Sequence, residues 1–297
     1  MAANKNNILT VTLLTGAFFI FVFLLIISYN YFSSGKFEIS SGKPKLGLIE
    51  LIGPIYESRP IIKQFKRFAA DDDIDAILFR ISSPGGGVSA SQEIYEEVRR
   101  IRDSGKIIVA SLGPMAASGG YYVALGANKI MSSPATVTGS IGVIVGVPNY
   151  EGLMKKLGLG FENITSGPRK DSGSPYRKFE AEDKKMFQDV VDDLYNQFVR
   201  AVSVERGLSE ERVRELADGR IYSGSQAKGL GLIDTLGTYN DAIDYAVELA
   251  NKTGEPTIIK SRRRKPSLLE LLFGDARAIL DLLAPTALPE YKLNVNF

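Results

Sequence analysis

Apolar runs that end in glycine-bearing turns and then give way to helix-patterned segments constrain this chain most. Leu46–Ile52 reads as a strand closed by Gly53-Pro54, and Pro60–Ala70 carries Ile61, Ile62, Phe65 and Phe68 at helical spacing. Ile74–Ile81 is a mostly apolar run suited to a strand buried on both faces. The turn Ser82-Ser-Pro-Gly-Gly-Gly87 follows, then a helix over about Ala90–Ser104 and a third strand, Lys106–Leu112. Strand, turn, helix and strand in succession describe βαβ units, hence an α/β fold with a parallel sheet covered by helices. Further on, Lys129–Ser132 and Gly142–Gly146 read as short strands. Glu180–Arg206 reads as a long amphipathic helix with Phe187, Val190, Val191, Leu194, Phe198 and Val202 on one face. Ser209 caps a helix through Ala217, Asp241–Asn251 forms another, and Pro256–Lys260 supplies a last strand.

The chain's 297 residues suffice for one large domain or two small ones, and no internal repeat divides them. With 36 basic against 34 acidic side chains the charge is balanced, which argues against a nucleic-acid partner. Cysteine and histidine are both absent, so disulfides, thiolate ligands and imidazole ligands are excluded together and no metal cofactor is expected.

Ile8–Ile27 contains no charged residue and, as a helix, would span roughly 30 Å, the thickness of a bilayer core. Tyr29, Tyr31 and Phe32 follow where an interfacial aromatic belt would sit. The rival is a cleaved signal peptide, but the exit lacks a small-x-small site. Lys5 precedes the run and Lys36, Lys43 and Lys45 follow it, so charge leaves the orientation open. The expected division is a tail (1–7), an anchor (8–29), a linker (30–45), a domain (46–260) and a C-terminal segment (261–297). In the last, Arg262-Arg-Arg-Lys265 precedes an apolar helix over Ser267–Ala284. A lipid contact, a subunit contact and a solvated turn all remain open for it.

The chemistry centres on Ser118, in Gly113-Pro-Met-Ala-Ala-Ser-Gly-Gly-Tyr-Tyr122, where small neighbours let backbone approach and the hydroxyl stand exposed at a turn. Without histidine, a Ser-His-Asp arrangement is impossible within the chain, and a lysine of lowered pKa is the remaining base. Gly85-Gly86-Gly87 and Gly119-Gly120 both lie at strand-to-helix turns, where backbone N–H groups can hold an oxyanion. A phosphate loop would need a Gly-Lys-Ser/Thr that is missing here.

Taken in order, Ile81-Ser-Ser-Pro-Gly-Gly-Gly87, Ala116-Ala-Ser-Gly-Gly-Tyr-Tyr122, Thr138-Gly-Ser-Ile-Gly-Val143, Ser166-Gly-Pro-Arg-Lys-Asp171 and Asp218-Gly-Arg-Ile-Tyr-Ser-Gly224 resemble the bacterial SppA-type signal peptide peptidases. These belong to the Clp protease/crotonase superfamily. The likeness runs from Leu46 to about Gly237; some members carry two tandem copies, whereas this chain has one. It implies a Ser-Lys endopeptidase, with Ser118 as nucleophile, Lys170 as general base and Ser140 orienting that base. It also implies an oxyanion hole from Gly119 and Gly86, with Gly85 as the alternative to Gly86. Arg169 cannot serve as base, because guanidinium keeps its proton. A single-copy member is expected to form a homo-oligomer whose subunits share each site. The catalytic domain would sit outside the cytoplasm of a bacterium, anchored in the membrane and degrading remnant signal peptides and unfolded segments. A crotonase-type acyl-CoA enzyme and a catalytically silent membrane scaffold are the competing readings.

Overall fold

The computed structural model describes residues 42–261 and 290–292, together with Phe21. By compactness the chain divides at Lys43/Pro44, and the fold below concerns the second unit. The expected anchor over 8–29 and the expected helix over Ser267–Ala284 lie outside the described residues, save Phe21. Among the described residues no helix is long and apolar enough to cross a membrane.

An eight-stranded mixed sheet forms the centre. Its strands are β1 (Lys45–Ile52), β2 (Ala76–Ser83), β4 (Ile107–Ala117), β5 (Lys129–Ser132), β6 (Val137–Gly139), β7 (Ile221–Ser223), β8 (Thr235–Leu236) and β9 (Thr257–Lys260). They run in the order β7-β6-β4-β2-β1-β9, with β5 on β4 and β8 on β5. Every pair is parallel except β6–β7. The helices are α1 (Arg59–Ala69), α2 (Val88–Asp103), α3 (Gly119–Ala124), α4 (Glu151–Lys156), α5 (Ala181–Arg206), α6 (Glu210–Leu216), α7 (Gly224–Gly229) and α8 (Tyr239–Leu249).

Alternation along the strands builds two cores. Ile49, Leu51, Ile77, Phe79, Ile81, Ile108, Ala110 and Leu112 face Phe65 and Phe68 of α1, Ile94 and Val98 of α2, and Phe198 and Val202 of α5. Leu46, Leu48, Ala76, Leu78 and Val109 face Ala242, Ala246 and Val247 of α8. Period-two spacing sends neighbouring side chains to opposite faces, so one strand serves both layers. Gly47 is required where β1 passes under α1, since a Cβ there would lie 2.8 Å from the Phe68 ring.

Three sequence expectations change. Gly142–Gly146 is not a strand; Val137–Gly139 takes that place, pairing with Met115–Ala117 at the end of β4. Ser140, at φ 51°, then turns the chain off the sheet. The apolar stripe of α5 is covered only toward its C-terminal end: Phe198 and Val202 are buried, whereas Val190 is 44% exposed. Residues 290–292, in the C-terminal segment where no strand was expected, form β10, antiparallel to β3 (Gly85–Gly87).

Candidate active site

The parallel pairing of β2 with β4 brings the two glycine turns together. Ser83 stands opposite Ala116, two residues before Ser118. Gly120, in the first turn of α3, is forced by this approach, because a Cβ there would lie 2.7 Å from the Ser83 carbonyl oxygen. Ser118 itself is the N-cap of α3, with φ 53° and ψ −119°. A non-glycine residue at such angles carries strain of about 1–3 kcal/mol, which its surroundings must hold in place. One restraint is its own N–H, donated to the Gly139 carbonyl at 2.7 Å.

The Ser118 side chain is buried rather than exposed at a turn. Among the described residues its Oγ is the one buried side-chain polar atom without a hydrogen-bond partner. Native interiors pair such atoms almost always, so an orphan hydroxyl on a strained residue makes Ser118 the candidate nucleophile.

The three glycines of β3 are not equivalent. Gly85 N–H donates to Ser83 Oγ at 3.1 Å. Gly87 N–H donates to the Ile55 carbonyl at 2.8 Å, and Ile55 N–H donates to the Gly85 carbonyl at 2.8 Å. Successive peptide groups of a strand point to opposite sides. Gly86 N–H therefore faces away from Ile55, toward the edge where β10 places Tyr291 opposite Gly86. Gly119, first residue of α3, has an N–H with no acceptor within its helix. A Cβ at Gly86 would meet the Ile55 carbonyl oxygen at 2.2 Å. We expect Gly86→Ala to cost about 1–3 kcal/mol through overpacking, read as a melting temperature lower by several degrees.

Ser140 lies one residue beyond Gly139, whose carbonyl holds Ser118, so the structure brings these two serines to one place. Ser140 is also buried, and its N–H donates to the Arg220 carbonyl at 2.8 Å. The Asp218–Gly224 motif supports this turn from behind. Arg220 is paired with Asp218, Tyr222 donates its hydroxyl to the Leu216 carbonyl at 2.8 Å, and the Tyr222 ring fills the space beside Gly139. Thr138 Oγ1 donates to the Ala116 carbonyl at 2.7 Å, tying β6 to the strand that carries Ser118. A cavity of about 510 Å³ opens beside Ser140, lined by Gly142, Val143, Ile144, Val191 and Tyr195. A larger one, of about 990 Å³ along α8, contains none of these residues.

Lys170 makes no hydrogen bond to the Ser118 hydroxyl within the single chain. It is exposed, in a turn where its N–H donates to the Gly167 carbonyl at 3.1 Å, and the Ser118 hydroxyl has no partner. The burial expected of a lysine base is therefore absent in the single chain, because the turn-rich residues around Lys170 bring little apolar surface over it.

The family model Peptidase family S49 matches residues 100–253, just over half of the chain. A Clp protease model matches residues 47–138. The chain is 40% identical over 240 residues to a Synechocystis sp. protein designated a protease, covering 80% of this chain and 86% of that one. It is 38% identical over 205 residues to an Enterococcus faecium protein designated signal peptide peptidase SppA, covering 69% of this chain and 59% of that one. Protease 4 of Salmonella typhi is 32% identical over 234 residues, covering 76% of this chain and 37% of that one. The chain thus spans less than two thirds of the last two relatives. Among solved structures, a ClpP1 variant of Listeria monocytogenes overlays with a TM-score of 0.46 at 18% identity, covering 66% of this chain and 94% of that one. The family and relative matches place the chain in peptidase family S49, among the serine-type peptidases.

Proposed function

We propose that this chain is a membrane-anchored endopeptidase that cleaves extended or unfolded polypeptides, remnant signal peptides among them, outside the bacterial cytoplasm. Its nucleophile is Ser118 and its general base is Lys170 of a neighbouring subunit. The observation that carries the reading is the strained, buried Ser118 with an unpartnered hydroxyl, set beside the Gly86 strand. That strand already accepts an extended segment, residues 290–292, in antiparallel pairing. A peptide taking the place of that segment would be read through its backbone, which suits unfolded substrates of varied sequence.

Neutral Lys170 removes the Ser118 proton as Oγ attacks the scissile carbonyl carbon. Gly86 and Gly119 N–H groups hold the resulting oxyanion. The Lys170 ammonium gives its proton to the departing amine, the C–N bond breaks, and an acyl-Ser118 ester remains. Water, deprotonated by the same lysine, attacks the ester and restores the hydroxyl. Ser140 orients the lysine. An ordinary lysine, with a pKa of about 10.4, is charged at neutral pH, so the base must be desolvated on assembly. Leu153, Leu157, Leu159, Phe161 and Ile164 are exposed in the single chain and supply apolar surface for such an assembly.

The test is acylation. A fluorophosphonate incubated with the full-length chain is expected to add one phosphonyl group to the Gly113–Tyr122 peptide, at Ser118, in parallel with cleavage of an unfolded protein. No adduct and no cleavage would favour a silent scaffold, and tight coenzyme A binding would favour an acyl-CoA enzyme.

A further inference from the structure

The turn that carries Lys170 is tied to α5 chiefly through Arg177. Arg177 donates from Nε and Nη2 to the two oxygens of Asp171 at 3.1 and 3.2 Å. It also donates from Nη1 and Nη2 to the two oxygens of Asp183 at 2.5 and 3.1 Å. Asp183 is buried in the first turn of α5, where it completes the cap by accepting from Glu180 N–H at 3.2 Å. Ser172 Oγ donates to the same carboxylate at 2.7 Å. Gly173 lies against the Phe187 ring, adding an apolar contact between turn and helix. The residues on either side of Arg177 thus converge on a single guanidinium, which a bidentate fork can satisfy and a lysine cannot.

Asp171 is the immediate neighbour of Lys170. Both of its oxygens are engaged by Arg177, and among the described residues Lys170 takes part in no ion pair. The charged groups in and beside the turn include Arg169, Asp171, Arg177, Lys178 and, at the start of α5, Glu180, Glu182 and Asp183.

We propose that Arg177 is a positioning residue for the peptidase reaction: by clamping Asp171 to Asp183 it holds the Lys170 turn on α5 and keeps the Asp171 carboxylate away from the Lys170 ammonium. The inference rests on the reading of Lys170 as base. A carboxylate free to reach that ammonium would stabilise its charged form and withdraw it from proton abstraction at neutral pH. The clamp is electrostatically tight. The Asp183 carboxyl is held well below the usual carboxylate range, chiefly by Arg177 and then by Ser172, and Arg177 is raised in turn.

The test compares full-length R177A, R177K, R177A/D171N and K170A with the parent, on a fluorogenic unfolded protein across pH. In R177A, kcat is expected to fall about ten- to a hundred-fold near neutral pH with little change in KM, as for a misplaced reacting group. The rising limb of its pH profile should move to higher pH, because the base must lose its proton against a nearby carboxylate. Adding D171N should return that limb toward the parent position, and R177K should not rescue. K170A inactive while R177A keeps the parent kcat and pH profile would overturn this proposal alone. A loss in R177A that follows melting temperature, with no shift of the limb and no response to D171N, would also overturn it. Activity surviving in K170A would overturn the base assignment, and the role of Arg177 with it.

Discussion

Full-length chains carrying Ser118→Ala or Lys170→Ala should each lose hydrolysis of an unfolded polypeptide by about 10,000-fold or more, since members of one catalytic unit fail together. Neither change should lower stability. Ser118→Ala removes a buried hydroxyl with no partner. Leaving such a group desolvated costs about 1–3 kcal/mol, so this variant should melt no lower than the parent. Lys170→Ala changes an exposed side chain and should leave the melting temperature within a degree or two, consistent with a surface effect of about 0.5 kcal/mol or less. The paired measurement is turnover and thermal unfolding on the same preparations. Full turnover in Lys170→Ala would remove the dyad, and unfolding of Ser118→Ala would make the serine structural.

The second large effect concerns two inactive proteins. Mixed and co-assembled, Ser118→Ala and Lys170→Ala chains should regain activity under the proposed arrangement, in which each site draws its serine from one subunit and its lysine from the next. With random equal mixing in a closed ring, about one quarter of sites would hold both groups. The physical ground is that Ser118 Oγ is buried without a partner while Lys170 is exposed in a turn of the same chain. Two distinct tags would verify that mixed assemblies form. Verified mixed assemblies with no activity at any ratio would place the whole site within one subunit.

Much of this architecture was legible in advance because its signals are local. Phe65 and Phe68 of α1 and the apolar run of β2 announce their elements within a turn or a few residues. The Ser209 cap does the same for α6. The run Gly142–Gly146 misled for the converse reason. Its composition suits a strand, but Val137–Gly139 occupies the end of β4 and Ser140 diverts the chain before that run could pair. The β10 segment gave no periodic signal at all, being three residues whose pairing partner lies across the whole domain.

Residue identity by itself determined which groups the chemistry could use: no imidazole, no thiol, a serine among glycines and alanines, and lysine as the available base. It also determined the βαβ succession, because hydrophobic periodicity is imposed within each element. Only the tertiary structure decided that Ser118 is buried and held at positive φ, since its restraint comes from Gly139 on another strand. It also showed that Ser83 and Ile55 accept from the N–H groups of Gly85 and Gly87, while Gly86 faces β10. The engagement of Asp171 by Arg177, and the anchoring of both at Asp183, likewise depend on how a turn meets a helix start. Local sequence sets which elements form; contacts between distant segments set where each donor, hydroxyl and charge points, and that is the level at which the site exists.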